Sequence, residues 1–81
     1  MDDSVVSTAD RQVHARGNGC EIVRYARAGK WYMERVDGSP NRYQMVLASA
    51  VGMALGHGME IIFGVPGGQQ FDSQVRKRRK A

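Results

Sequence analysis

Residues 21–36 read EIVRYARAGKWYMERV. β-branched and aromatic side chains crowd 21–27 and 31–36, and Ala28, Gly29 and Lys30 separate the two runs. Such runs, joined by three residues that include a glycine, make an antiparallel hairpin. Alternation puts Val23 and Tyr25 on one face and Ile22, Arg24 and Ala26 on the other. In the second strand it parts Trp31 and Met33 from Tyr32, Glu34 and Val36. One face should therefore pack while the other meets water. Asp37-Gly38-Ser39-Pro40-Asn41 follows as strong turn chemistry.

Downstream, residues 43–55 (YQMVLASAVGMAL) repeat apolar positions at Tyr43, Leu47, Ala50 and Ala54, the spacing of one helical face. Gly56 or Gly58 would end that helix. Residues 59–65 (MEIIFGV) alternate again. Val65-Pro66-Gly67-Gly68 suits a type II turn, and 69–76 (QQFDSQVR) reads as the returning strand. The order β-β-α-β-β predicts an α+β fold of two layers, a four-stranded antiparallel sheet packed on one helix. Upstream, residues 1–18 are polar and are expected to be flexible, with a short helix over 8–16 as the alternative, capped by Ser7 and ended by Gly17.

The chain has 81 residues, too few for more than one domain of ordinary size. Its foldable part is expected at 19–75, between the flexible segment 1–18 and a basic tail at 76–81. A body of about 60 residues buries only about 60% of its unfolded surface, so reinforcement is expected. Cys20 is the single cysteine, which excludes an intrachain disulfide and fits a reducing, cytoplasmic compartment. His14 and His57 stand far apart, and no Cys/His/carboxylate cluster has ligand spacing. No metal and no cofactor are expected. A homodimer remains as the reinforcement. Residues 43–59 lack Asp, Glu, Lys and Arg, but Gly52, Gly56, His57 and Gly58 interrupt them, and a span needs about 20 apolar residues. No membrane association is expected.

The net charge of +4 is unevenly placed. Residues 1–20 are slightly acidic and 21–75 balance to zero, so the excess comes from Arg76, Lys77, Arg78, Arg79 and Lys80. Five consecutive bases repel one another and should stay extended, available to a polyanion. The first hairpin adds Arg24, Arg27, Lys30 and Arg35 among Tyr25, Trp31 and Tyr32. Bases that neutralise phosphates, beside rings that stack on unpaired bases, are the equipment of a nucleic-acid-binding sheet. Arg24, Arg27, Lys30, Tyr32, Arg35 and the tail are thus the candidate nucleic-acid contacts. A plain solvated sheet face has a similar composition. In the helix, Ala48, Gly52 and Gly56 recur every fourth residue, which fits either close packing on the sheet or a dimer contact. No Ser-His-Asp or Cys-His arrangement and no phosphate-loop pattern stands in the sequence. Catalysis is not expected.

Gly29-Lys30-Trp31-Tyr32, the turn at Asp37-Gly38 and the Ala-rich helix resemble the hairpin-plus-helix arm-type DNA-binding domains of phage and mobile-element recombinases. That resemblance implies DNA contact through the sheet, by Arg24, Arg27, Tyr32 and Arg35. The chain departs from the pattern by the added segment 59–76. Trp31, the helix 48–54, the strand 58–62 and Gly67-Gly68 also resemble small bacterial ββαββ proteins of unknown function, a likeness that implies the same element order and no activity. The expected function is a non-catalytic nucleic-acid-binding accessory or regulatory protein. The alternative is an interaction module or inhibitor that binds a host protein through a sheet edge or the uncharged helix.

Overall fold

The hairpin of residues 21–36 is present and forms the centre of the sheet. The computed structural model describes residues 10–80. In chain order these form β1 (Arg11–Gly17), β2 (Cys20–Tyr25), β3 (Lys30–Arg35), β4 (Arg42–Met45), α1 (Leu47–Gly56), β5 (Glu60–Ile61) and α2 (Gln69–Lys80). The architecture is α+β with an antiparallel sheet, as expected, but the sheet has five strands and two helices accompany it. Sheet order is β4-β3-β2-β1-β5.

Three elements differ from the sequence reading. The option of a helix over 8–16 gives way to β1, which pairs with β2 from Arg11↔Tyr25 to Gly17↔Cys20. The link is Asn18-Gly19, with φ of 54° and 74°, a two-residue hairpin turn with positive φ at both positions. β1 and the end of α2 both lie outside the 19–75 span expected for the domain. Residues 43–45 belong to β4 rather than to the helix, because the outer edge of β3 takes them up as Met33↔Tyr43, Tyr32↔Gln44 and Trp31↔Met45. α1 then begins after Val46, which is still extended.

The third difference is the second hairpin. Only Glu60 and Ile61 form a strand, and they pair with β1. The type II turn is there: the Gly68 N–H donates to the Val65 carbonyl at 2.9 Å and Gly67 has φ of 81°. It opens α2, however, and no returning strand follows. Phe71 and Val75 are four apart, a spacing that keeps two residues on one face of a helix as well as of a strand. Asp72 in the first turn and bases in the last also suit the helix dipole. The run Arg76–Arg79, expected as an extended tail, is helical for that reason. Of the segment 1–18 expected to be flexible, residues 11–17 form β1, while residues 1–9, like the Lys80 side chain, lie outside the described residues.

Both helices cover one face of the sheet. Ile22, Ala15, Trp31 and Met45 from the strands meet Ala50, Val51 and Ala54 of α1 and Phe71 and Val75 of α2. Each fully buried large side chain among them contributes about 1.5–3 kcal/mol. Trp31 stacks on Phe71 with ring centroids 5.2 Å apart.

Candidate nucleic-acid interface

The open face of the sheet uses most of its charges on itself. Pairing register places Arg11, Arg16, Glu21, Val23, Tyr25, Tyr32, Glu34 and Arg42 on the side away from the helices. Arg11 donates to Glu34 at 2.8 Å and to Glu21 at 2.9 Å, Arg16 reaches Glu21 at 3.3 Å, and Arg42 lies 3.6 Å from Glu34. The Tyr25 hydroxyl donates to Glu34 at 2.5 Å. Burial pushes the Glu34 carboxyl up, but the Tyr25 hydroxyl and the Arg11 guanidinium outweigh it and hold the group below its ordinary range. Arg42 also covers the Tyr32 ring at 4.4 Å and the Tyr25 ring at 5.2 Å.

The hairpin residues expected to contact nucleic acid are therefore not brought together. Tyr32 lies beneath Arg42 on the open face, and Lys30, opposite Tyr25 in the register, belongs to that face too. Arg24 is on the helix side, opposite Trp31. Arg27 sits in the turn, where its backbone N–H donates to Asp10 at 2.8 Å, and Arg35 pairs with Asp37 at 3.1 Å. Of the five hairpin candidates only Lys30 and Tyr32 share the open face.

α2 is different. Phe71 and Val75 face the core, and the next residue on that stripe, Arg78, reaches over Gly52 of α1. Arg76 and Arg79 flank the half-exposed Phe63, with Arg76 4.5 Å above its ring. Gln69, Gln70, Ser73 and Lys77 look outward. The one acid of α2, Asp72, is buried and accepts the Gly64 N–H at 3.0 Å. Among the described residues no carboxylate pairs with Arg24, Arg76, Lys77, Arg78 or Arg79. The sequence reading placed Gln69, Gln70 and Ser73 in a strand, whereas they belong to the outward side of α2. Of the small-residue row, Gly52 lies under Arg78, while Ala48 and Gly56 are exposed and the sheet side of α1 is Ala50, Val51 and Ala54.

A buried polar group lies beneath α2. β1 has a bulge between Val13 and Ala15, which turns both His14 and Ala15 inward. His14 is fully buried between Trp31 and Phe71, at ring-centroid distances of 4.8 and 5.6 Å. Neither of its ring nitrogens has a partner among the described residues, and the same holds for Asp72 Oδ1 and Gln12 Oε1. Burial lowers the His14 pKa to about 4; Asp72 opposes that shift and Arg24 adds to it. The imidazole is neutral at pH 7. No group of three or more metal-ligating side chains occurs among the described residues, and no described helix is long and apolar enough to cross a membrane. Compared with known protein families, curated proteins and solved structures, the chain matches none.

Proposed function

We propose that the protein binds nucleic acid through α2, as a non-catalytic accessory or regulatory factor. One observation carries this reading: the exposed surface of α2 has no carboxylate, and Arg76, Lys77, Arg78 and Arg79 near its end have no acid partner among the described residues. Arg76, Lys77, Arg78 and Arg79 would neutralise phosphates, which supplies affinity without sequence preference. Gln69, Gln70 and Ser73 precede them on the outward side and offer the amide and hydroxyl groups that contact base edges or sugars. A helix of 12 residues is about 18 Å long and of a width that the major groove of duplex DNA admits.

The test is substitution in the full chain, since a chain ending at Val75 would lose part of α2. Fluorescence anisotropy with a short DNA duplex and a matched RNA at low salt should show binding by the wild type. The triple change Arg76→Gln, Lys77→Gln, Arg79→Gln should lose most of it, and Arg16→Gln on the open face should lose little. Equal losses from both would refute the assignment to α2.

A second reading rests on the β4 edge. Tyr43 is 60% exposed and Val46 68% exposed, beside the outer strand of the sheet. An outer strand with apolar side chains can pair with a strand of another chain, from a host protein or a second copy. Tyr43→Lys with Val46→Lys would abolish such an association and leave nucleic-acid binding intact.

A further inference from the structure

The first turn of α2 lies about 12 Å along the helix from Lys77, and nucleic-acid contact by the basic end leaves its chemistry unused. A cleft of about 540 Å³ opens there, lined by Arg24, Trp31, Leu47, Gly67, Gln69 and Gln70 among others. Arg24 is half-buried and, unlike Arg11, Arg16, Arg35 and Arg42, has no ion-pair partner among the described residues. A guanidinium withdrawn from water without an anion is costly. It lies against the turn that opens α2, with Nη1 2.7 Å from where a Gly67 Cβ would stand.

Three further features converge on the same turn. The N–H groups of Gln69, Gln70 and Phe71 begin a helix, so they lack intrahelical acceptors and point their positive ends outward. Gln12 Oε1, unpartnered, is 3.4 Å from the Gly67 Cβ position. His14 is fully buried with both nitrogens unpartnered, and its ring edge is directed at Gly68, with Cε1 and Nδ1 2.6 and 2.7 Å from that residue's Cβ position. Only two glycines let these polar groups come so near the helix start.

We infer that this cleft binds a small phosphate ester. Its phosphate is held by the Arg24 guanidinium and the Gln69 and Gln70 N–H groups, and its organic part lies against Trp31 and Leu47. A guanidinium fork beside a helix N-terminus is the arrangement phosphate oxygens favour. The cleft has room for more than a bare anion. The site is independent of the basic end of α2.

Trp31 is the single tryptophan, so its fluorescence reports on the cleft. Titration of the full chain with AMP should change Trp31 emission saturably, with a midpoint in the millimolar range, and inorganic phosphate should compete. Arg24→Gln should weaken AMP at least tenfold, and Arg24→Lys, which keeps the charge without the fork, should fall between. The triple change Arg76→Gln, Lys77→Gln, Arg79→Gln should leave AMP binding as it is. No saturable change in the wild type would overturn the proposal, as would undiminished binding by both folded Arg24 variants. AMP binding that depends on the end of α2 instead would overturn it too. A wild type that binds AMP but no duplex would reject only the nucleic-acid reading.

Discussion

Arg78 of α2 lies across Gly52 of α1, its Nη1 3.3 Å from where a Cβ on that glycine would stand. The small residue admits a base of the neighbouring helix of the same chain. Replacement by alanine asks only the flexible tip of Arg78 to give way, while glycine inside a helix costs about 1 kcal/mol relative to alanine. Gly52→Ala should therefore stabilise the fold by about 0.5–1 kcal/mol, read as a higher urea midpoint at unchanged slope. A lower midpoint would mean that Gly52 serves a tighter contact than Arg78.

Gly68 should behave oppositely. A Cβ there would stand 2.6 Å from His14 Cε1 and 3.1 Å from the Val65 carbonyl oxygen, and neither the buried ring nor the backbone has room to move. Gly68→Ala should cost about 1–3 kcal/mol by overpacking. With His14→Ala present the penalty should shrink, so that the double change is less destabilising than the two singles combined. Strict additivity in denaturant unfolding would show that the ring does not press on the turn.

His14 also sets a pH dependence. In the unfolded chain it takes a proton near pH 6.5, but in the fold only near pH 4. The unfolded state binds more protons between those values, so stability is whole above about pH 6.5 and falls as the pH drops toward 4. The loss approaches about 3 kcal/mol at 1.36 kcal/mol per pKa unit. Unfolding free energies at pH 7 and 4.5 should differ clearly in the wild type and much less in His14→Leu. Equal pH dependence in both chains would contradict the burial argument.

On the open face, Glu34 accepts from Arg11 and Tyr25 and lies beside Arg42. Glu34→Ala leaves three partly covered donors facing a gap and should cost about 1–3 kcal/mol. Glu34→Gln, which keeps the shape and one acceptor, should cost less. Thermal unfolding of the two variants ranks them directly.

How far these elements could be read from the sequence depended on competing periodicities. β2 and β3 carry uninterrupted alternation around a glycine turn and were plain in residues 21–36. β1 was hidden because its bulge puts His14 and Ala15 on the same side, although Asn18-Gly19 is itself a hairpin signal. Residues 43–55 hold two periods in succession, period two through Met45 and helical after Val46, and the longer pattern absorbed the shorter. Phe71 and Val75 fit either period, and the bases after them read as a tail. The partners of the bases depend on tertiary pairing, so Arg24, which keeps no carboxylate, looked the same as Arg42, which has one. Nothing local marked His14 as the residue beneath Gly68.

The assignment of nucleic-acid contact to α2 is tested most directly by the salt dependence of duplex binding in the wild type and in the Arg76→Gln, Lys77→Gln, Arg79→Gln variant. Each phosphate neutralised contributes about −0.9 to the slope of log K against log salt. Four or five contacts from α2 give the wild type a slope of about −4, and three fewer bring the variant to between about −1 and about −2. A slope that stays the same in the variant, or a wild type that binds no duplex at low salt, would contradict it.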